Sequence, residues 1–360
     1  MERALNLIKE TLSKTFINLL KSRVSSLYLV GGALRDAYFG MPLRDFDFVV
    51  RATDFGLIED FLKDQKISYF SLNEGQFALF RAIVNDFTFD FMILSDTVTE
   101  DINKRDFTMN SLYYDLKLDE QLFKEEFLGD LKNRILKVVN SNSIRYDPVR
   151  ALRGIRLVID LSLSIEASTK RFISEGVLLL ENVTKERVRE EVKKVLHSDF
   201  RKLLVVLEDL FGKDLSVVLP KVELLDKMAM LGKEINKDIS FKDLCKVSIL
   251  SKYFPFFLTG FTGREKKYIE EITNMEIENN FDSLFNAYIN HIREIRIPLC
   301  AIVISFDSED AFKVYNLFDK WSMVKINIDE IKESAFTGKE VGKRKEELLK
   351  VECRKIYDEI

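Results

Sequence analysis

The sequence predicts an α+β protein, with a mixed-sheet head of about 140 residues followed by an extended all-helical remainder. Two observations carry this. Short runs of two-residue alternation fill the first third of the chain, whereas from about Asp147 onward apolar residues recur at three- and four-residue steps and Gly and Pro become sparse. At 360 residues the chain exceeds what one hydrophobic core usually serves. The predicted division is a head at 1–140 and helical segments at 141–202, 203–295 and 296–360. Hydrophobic residues at 46% and charged residues at 32% suit an ordinary folded chain, and 29 Phe residues supply large apolar side chains for its core.

The elements follow in order. MERALNLIKETLSKTF reads as an opening amphipathic helix. Strand-like runs come next at Leu27–Val30, Phe46–Val50, Ser68–Leu72, Phe77–Ile83, Phe87–Leu94 and Leu112–Leu116, with a helix-like stretch at Phe55–Asp64. VRALRGIRLVIDL, RVREEVKKVL and RKLLVVLEDLFG then carry helical periodicity.

Scarce residues exclude several chemistries. Cys245, Cys300 and Cys353 are widely spaced and odd in number, which argues against a disulfide framework or a zinc ribbon. His197 and His291 are the only histidines and neither sits in an HExxH, so a catalytic metal would rest on carboxylates, which favours Mg²⁺ over zinc. The N-terminal stretch contains acids, unlike a signal peptide, and no apolar run approaches the ~20 residues of a membrane span. A cytoplasmic protein is the expectation. The formal charge of −4 weighs against a nucleic-acid partner when taken over the whole chain.

The strongest local signal is LYLVGGALRDAYFGMPLRDFDFVV, residues 27–50. A strand ends at Val30, Gly31 and Gly32 turn, and a short helix starts, an arrangement in which backbone N–H groups can approach a phosphate, with Arg35 one turn in. A bare Gly-Gly turn serves equally as a plain strand–helix connection. Asp45 and Asp47 then share one strand face while Phe46 and Phe48 share the other. Adjacent like charges repel unless a cation lies between them, although a solvated strand face explains the pair as well. Asp90, in FTFDFM, is a third acid in the same alternation. Three such carboxylates on neighbouring strands would hold the two metal ions of an in-line nucleotidyl transfer.

The Gly-Gly turn followed by DxD resembles the nucleotidyltransferase superfamily that includes DNA polymerase beta. DINKRDFTMNSLYYD (101–115) resembles the RRDFTxNA motif, and FLGDLKNRILKVV (127–139) resembles GGxxDLxxxxLR. IRYDPVRALRGIRLVIDLSLSIEASTK (144–170) resembles EDPxRxLRAxRFAxxLxFxIxxxT, and KERVREEVKKVL (185–196) is similar to ERIxxELxKLL. In that order they are similar to class II tRNA nucleotidyltransferases and the related bacterial poly(A) polymerases. A Gly-Lys-Glu-Val-Gly segment at 338–342 looks like the family's tail.

The resemblance implies a polymerase-beta-like head, then neck, body and tRNA-binding tail, with tRNA, CTP and possibly ATP as partners. It implies Asp45 and Asp47 as metal ligands, with Asp90 as third carboxylate, and Gly31, Gly32 and Arg35 on the triphosphate. Arg105, Asp106 and Asn110 would contact the nucleotide, Asp106 at the ribose hydroxyl. Asp147 and Arg150 would act as a protein template for the base, with Arg153 and Arg156 on the same helix. A carboxylate and a guanidinium can together match the Watson–Crick edge of cytosine. Asp147 before Pro148 would equally cap a helix, and at 100° per residue Arg156 falls nearly opposite Asp147.

Three departures bear on specificity. Tyr146 stands where the family usually has Glu, Lys104 replaces an Arg, and only MILSDTVTEDINK joins Asp90 to Arg105. CCA-adding relatives and poly(A) polymerases insert a longer flexible loop there, so the short connection resembles the CC-adding branch. Full CCA-adding ranks second, and A-adding or poly(A) synthesis third. Residues 131–202 hold 16 Lys+Arg against 9 Asp+Glu, so the predicted neck is basic within an acidic chain.

Overall fold

A computed structural model describes every residue except 75–76, 95–96, 220, 223–224, 226–239, 292–295, 307, 327–337 and 360. It divides into two units, Met1–Asn182 and Val183–Ile360. The boundary falls inside the segment 141–202, because the helix predicted at VRALRGIRLVIDL packs within the first unit.

The first unit opens with helices α1 (Glu2–Ser13) and α2 (Ile17–Arg23), then alternates through β1 (Tyr28–Val30), α3 (Gly32–Phe39), β2 (Asp45–Val50) and α4 (Ala52–Asp64). A run of strands follows: β3 (Tyr69–Glu74), β4 (Phe77–Val84) and β5 (Phe87–Ile93). Next come α5 (Val98–Lys104), β6 (Tyr113–Asp115), β7 (Glu120–Gln121) and α6 (Glu125–Lys132). The unit closes with β8 (Ile135–Leu136), α7 (Ser143–Tyr146), α8 (Val149–Leu161), β9 (Ser164–Ile165) and α9 (Ala167–Gly176). Seven strands form one sheet in the order β3-β4-β5-β2-β1-β6-β7. β2 and β5 pair in parallel and the other neighbours are antiparallel, as a mixed sheet requires. The short parallel pair β8–β9 was too brief to leave a periodic signal in the sequence.

Period-two alternation decides which way this sheet faces. Phe46, Phe48, Phe89 and Phe91 are fully buried. The register sets Phe46 beside Phe89 and Phe48 beside Phe91, and their rings stack at 5.7 and 5.3 Å. Phe16, between α1 and α2, meets Phe89 edge-on at 4.8 Å, and Phe61 of α4 lies 6.1 Å from Phe16. The helices therefore cover the phenylalanine face, and the aspartates of β2 and β5 fall on the other. Asp54 of α4 ties this layer to the start of β1. Its carboxylate accepts hydrogen bonds from the backbone N–H and hydroxyl groups of both Ser25 and Ser26, at 2.6–2.9 Å.

The second unit is helical among its described residues: α10 (Lys185–His197), α11 (Phe200–Phe211), α12 (Phe241–Tyr253), α13 (Gly263–Asn274), α14 (Phe281–Asn290), α15 (Arg296–Ser305), α16 (Ser308–Ser322) and α17 (Gly338–Asp358). The single Trp321 is buried in a ring cluster with Phe281, Phe285, Tyr288 and Phe318, and its Nε1 donates to the Cys353 carbonyl at 2.9 Å. Arg189 of α10 forks onto Glu265 of α13 at 2.8 and 2.5 Å. Among the described residues no helix is long and apolar enough to cross a membrane.

Phe89→Ala removes a ring that three aromatic neighbours enclose and should cost about 3–5 kcal/mol. The readout is a lowered urea midpoint by far-UV circular dichroism, since Trp321 fluorescence reports on the other unit.

Candidate active site

One register line across the sheet builds the site. β4 sets Arg81 opposite Asp90, the parallel pair sets Asp90 opposite Asp47, β1 sets Val30 opposite Asp47, and β6 sets Tyr113 opposite Val30. Asp45, two residues before Asp47, shares its face and is exposed. At the end of β1 the chain turns through Gly31, whose φ of 77° and ψ of −139° suit only glycine. A Cβ at Gly31 would lie 3.2 Å from Asp47 Oδ2, so the turn and the aspartate touch. Gly40, at φ 70°, closes α3 in the left-handed conformation.

Asp47 borders two cavities. One, of about 590 Å³, is lined by Gly31, Gly32, Arg35, Arg105, Asp106, Asn110, Lys104, Arg150, Arg153 and Asp101 among others. The second, of about 350 Å³, is lined by Asp45, Asp90, Arg81, Ile83 and Thr88. Of the residues singled out in the sequence, Asp147 and Arg156 line neither cavity; Arg156 pairs with Asp160 at 3.6 Å, one turn along α8. Helix periodicity already put it on the far side from Asp147.

A hydrogen-bond network fixes the basic wall. Arg35 donates to the Asn110 side-chain oxygen and, through Nε at 2.8 Å, to Asp36. Asn110 donates to Asp106 Oδ1 at 3.1 Å, and Arg153 Nη1 donates to Asp106 Oδ2 at 3.0 Å. Burial alone would raise the Asp106 carboxyl, but the Arg153 charge and the Phe107 N–H and Asn110 hydrogen bonds hold it below the usual range. Arg105 stacks over the Tyr113 ring at 4.9 Å, with Nε and Nη2 donating to Asp101 and Nε to the Tyr113 hydroxyl. The Tyr113 hydroxyl also donates to Asp101. Asp101 and Tyr113 were not singled out in the sequence. The signal for Asp101 was available, as an acid four residues before Arg105 on a helical turn.

Arg150 is held by the backbone that precedes it. Nη1 donates to the Arg105 carbonyl at 3.1 Å and to Ser143 Oγ at 2.9 Å, and Nη2 donates to the Lys104 carbonyl at 2.8 Å. Asp147 lies 3.7 Å from Arg150 Nε. α8 begins at Val149, Pro148 is already helical, and the Arg150 N–H donates to the carbonyl of the extended Asp147 at 3.0 Å, so the backbone of Asp147 stands at the helix start where the capping alternative put it. Tyr146 is 80% exposed.

The donor set suits a hard cation in part. Asp47 is raised to about 6, first by burial and then by the Asp90 charge, so negative charge is concentrated where a divalent ion would relieve it. Asp90 is otherwise engaged: Arg81 Nε and Nη2 fork onto its two oxygens at 2.7 and 2.6 Å. Among the described residues no three His, Cys, Asp or Glu side chains cluster closely enough to hold a metal ion. Asp45 and Asp47 offer carboxylate oxygens of the kind a hard cation takes, and Asp90, on the same face, is paired with Arg81.

Comparison with known proteins bears on this arrangement. Residues 27–94 match the model of the poly A polymerase head domain, and residues 162–209 match one described as the probable RNA and SrmB-binding site of polymerase A. A CCA-adding enzyme of Lactobacillus delbrueckii subsp. bulgaricus is 31% identical over 48% of this chain and 47% of its own length. An A-adding tRNA nucleotidyltransferase of Aquifex aeolicus is 23% identical over 91% of this chain and 45% of its own length. A CC-adding tRNA nucleotidyltransferase of Geobacter sulfurreducens is 28% identical over 54% of this chain and 46% of its own length. The chain thus spans about half the length of the curated relatives it matches. A solved CCA-adding enzyme with CTP shares the fold, with a TM-score of 0.70 over 96% of this chain and 93% of that one at 18% identity.

Gly31→Ala should destabilise the first unit by about 1–3 kcal/mol, because an L residue is strained at that φ and its methyl group crowds Asp47. A urea midpoint unchanged from wild type would show that the turn relaxes freely.

Proposed function

We propose that this chain, a homologue of tRNA nucleotidyltransferases and bacterial poly(A) polymerases, adds CMP residues from CTP to the 3′ end of tRNA without a nucleic-acid template. The RNA 3′ oxygen attacks the α-phosphorus, a P–O bond forms, the bond to the bridging oxygen breaks and pyrophosphate leaves. The observation that carries this reading is the contact of the Gly31 turn with Asp47 in a cavity where Arg35 and Arg105 lie against the same turn. Backbone N–H groups at the start of α3 and the two guanidinium groups suit a triphosphate. Asp45 and Asp47 would hold Mg²⁺, which when bound supplies positive charge to activate the hydroxyl and to balance the leaving pyrophosphate.

Asp106, fixed by Arg153 and Asn110, keeps a charged acceptor at the cavity for a ribose hydroxyl. Asp147 and the part of Arg150 not spent on backbone carbonyls would meet the base edge. Arg156, paired with Asp160, is assigned to supporting α8 and not to the nucleotide. Segments 203–295 and 296–360 would carry the body of the tRNA, with the basic run at 131–202 near its acceptor end.

The CC-adding reading is supported by the short connection between the catalytic strand and the RDFTMN segment. β5 ends at Ile93 and α5 begins at Val98, capped reciprocally by Thr97 and Glu100; Ser95 and Asp96 lie outside the described residues. One observation favours A-adding as the second reading: the match to the Aquifex aeolicus protein runs over 91% of this chain.

Incubation with radiolabelled CTP or ATP, Mg²⁺ and tRNA either lacking its 3′ CCA or ending in CC tests this directly. CTP label stopping after two additions is the expected result. ATP label alone would give the A-adding reading, and label from neither would overturn the proposal. Asp47→Ala should abolish incorporation with an unchanged circular dichroism spectrum. Asp147→Ala should erode the choice between CTP and other nucleotides; unaltered selectivity would remove Asp147 from base reading.

A further inference from the structure

The cysteines have no role in the reading above, and wide spacing in the sequence hides how two of them meet. Cys245 of α12 and Cys300 of α15 are 55 positions apart in the chain, yet their Sγ atoms lie 2.8 Å from each other. α12 packs against α15, and both side chains are fully buried. Cys353 is buried too, on α17 where its carbonyl accepts from Trp321, and takes no part in this pair.

α12 runs through the interior of the second unit. Residues 243–250 are all buried, and Lys246, next to Cys245, donates to the Leu196 carbonyl near the end of α10. A covalent link from Cys245 to α15 would therefore join an inner helix to a second buried one. A disulfide bond is about 2.05 Å long, so the two sulfur atoms have less than about 1 Å to travel. Burial pushes the Cys245 thiol well above the usual range, which keeps the closed pair protonated and slow to react. Oxidation then proceeds through local openings of the helices, and the same burial shields the finished bond from small reductants.

We propose that Cys245 and Cys300 are an oxidation site, at which peroxide converts the facing thiols into an intramolecular disulfide that staples α12 to α15. One thiolate attacks a peroxide oxygen, the O–O bond breaks, and a sulfenic acid forms as hydroxide leaves. The second thiolate attacks that sulfur, the S–S bond forms, and the sulfenic oxygen leaves as hydroxide. The two thiol protons neutralise the two hydroxides, so the pair loses two electrons and two protons while one peroxide becomes two molecules of water. The bond closes a loop that contains α13 and α14, which restricts the unfolded chain and stabilises the unit. The inference stands independently of nucleotidyl transfer.

The test uses the whole chain, purified with its thiols reduced. It is incubated with hydrogen peroxide over a series of temperatures up to its melting point, then denatured, alkylated with iodoacetamide and weighed by mass spectrometry. The reduced protein should take an alkyl group on each of its 3 cysteines. The oxidised protein should take one, on Cys353, and a digest made without reductant should contain a peptide joining Cys245 to Cys300. The oxidised protein should also melt about 5–15 °C higher than the reduced one. Peroxide oxidises methionine as well, which the same treatment of Cys300→Ala controls. That variant should keep both remaining thiols and show no rise, while Cys353→Ala should form the link as the wild type does. If Cys300→Ala fails to fold, the wild-type masses and linked peptide carry the test alone. Alkylation of all three thiols at every temperature, sulfinic acid in place of the link, or a link to Cys353 or to a second molecule would each overturn the staple. So would a Cys245–Cys300 link that leaves the melting temperature unraised.

Discussion

The parallel pairing of β2 with β5 in a single register is the constraint on which the rest of the first unit depends. It stacks Phe46 on Phe89 and Phe48 on Phe91 in the core while it sets Asp47 beside Asp90 on the opposite face. Because the side-chain period of a strand is two, a slip of one residue would bury aspartates and expose phenylalanines together. The fully buried rings therefore specify the register, and the register delivers the carboxylates. Hydrophobic packing on one face holds together like charges that would otherwise separate.

Around that line the polar wall is rigid because each cation is answered by a group from a different element. Arg105 joins α5 to Asp101 and to Tyr113 of β6, and Asp106 joins the following segment to Arg153 of α8. Asn110 accepts from Arg35 of α3, which carries the network back to the glycine turn. Such a network keeps its donors aimed at one place without reorganisation when charge arrives, which is the property electrostatic stabilisation needs. Its cost is buried charge: Asp106 retains its ionised form only while Arg153 and its hydrogen-bond donors remain in place.

Much of this was legible in the sequence because it is local. The alternation in DFDFVV and FTFDFM, the Gly-Gly turn and the period of VRALRGIRLVIDL each need only a short window, and the strands and α8 lie where those windows put them. The family resemblance read from the same motifs holds for the head and for the segment after it. What was not legible depends on pairing between distant strands. Nothing in FALFRAIV says that Arg81 meets Asp90, because that contact exists only once β4 and β5 are in register. Asp90, expected as a third carboxylate, therefore has an arginine partner that the strand pattern could not announce. The hold on Arg150 was hidden in the same way, since the carbonyls it meets come from residues some 45 positions earlier.

The clamp on Arg150 bears on how many bases one pocket can accept. A template that reads cytosine and then adenine must move its acceptor and donor relative to each other between the two additions. Here the guanidinium bridges the carbonyls of Lys104 and Arg105 to Ser143, so moving it would break several hydrogen bonds to charged donors together. The covalent connection from β5 to α5 is also short, leaving little chain to serve as a lever between Asp90 and Arg105. If Arg150 reads the base as proposed, a pocket so fixed would suit one base better than two in turn. On the proposed reading this separates the single-nucleotide chemistries, CC-adding and A-adding, from full CCA addition. Between those two, the choice would fall to Asp147 and the remaining edge of Arg150, if these meet the incoming base as proposed.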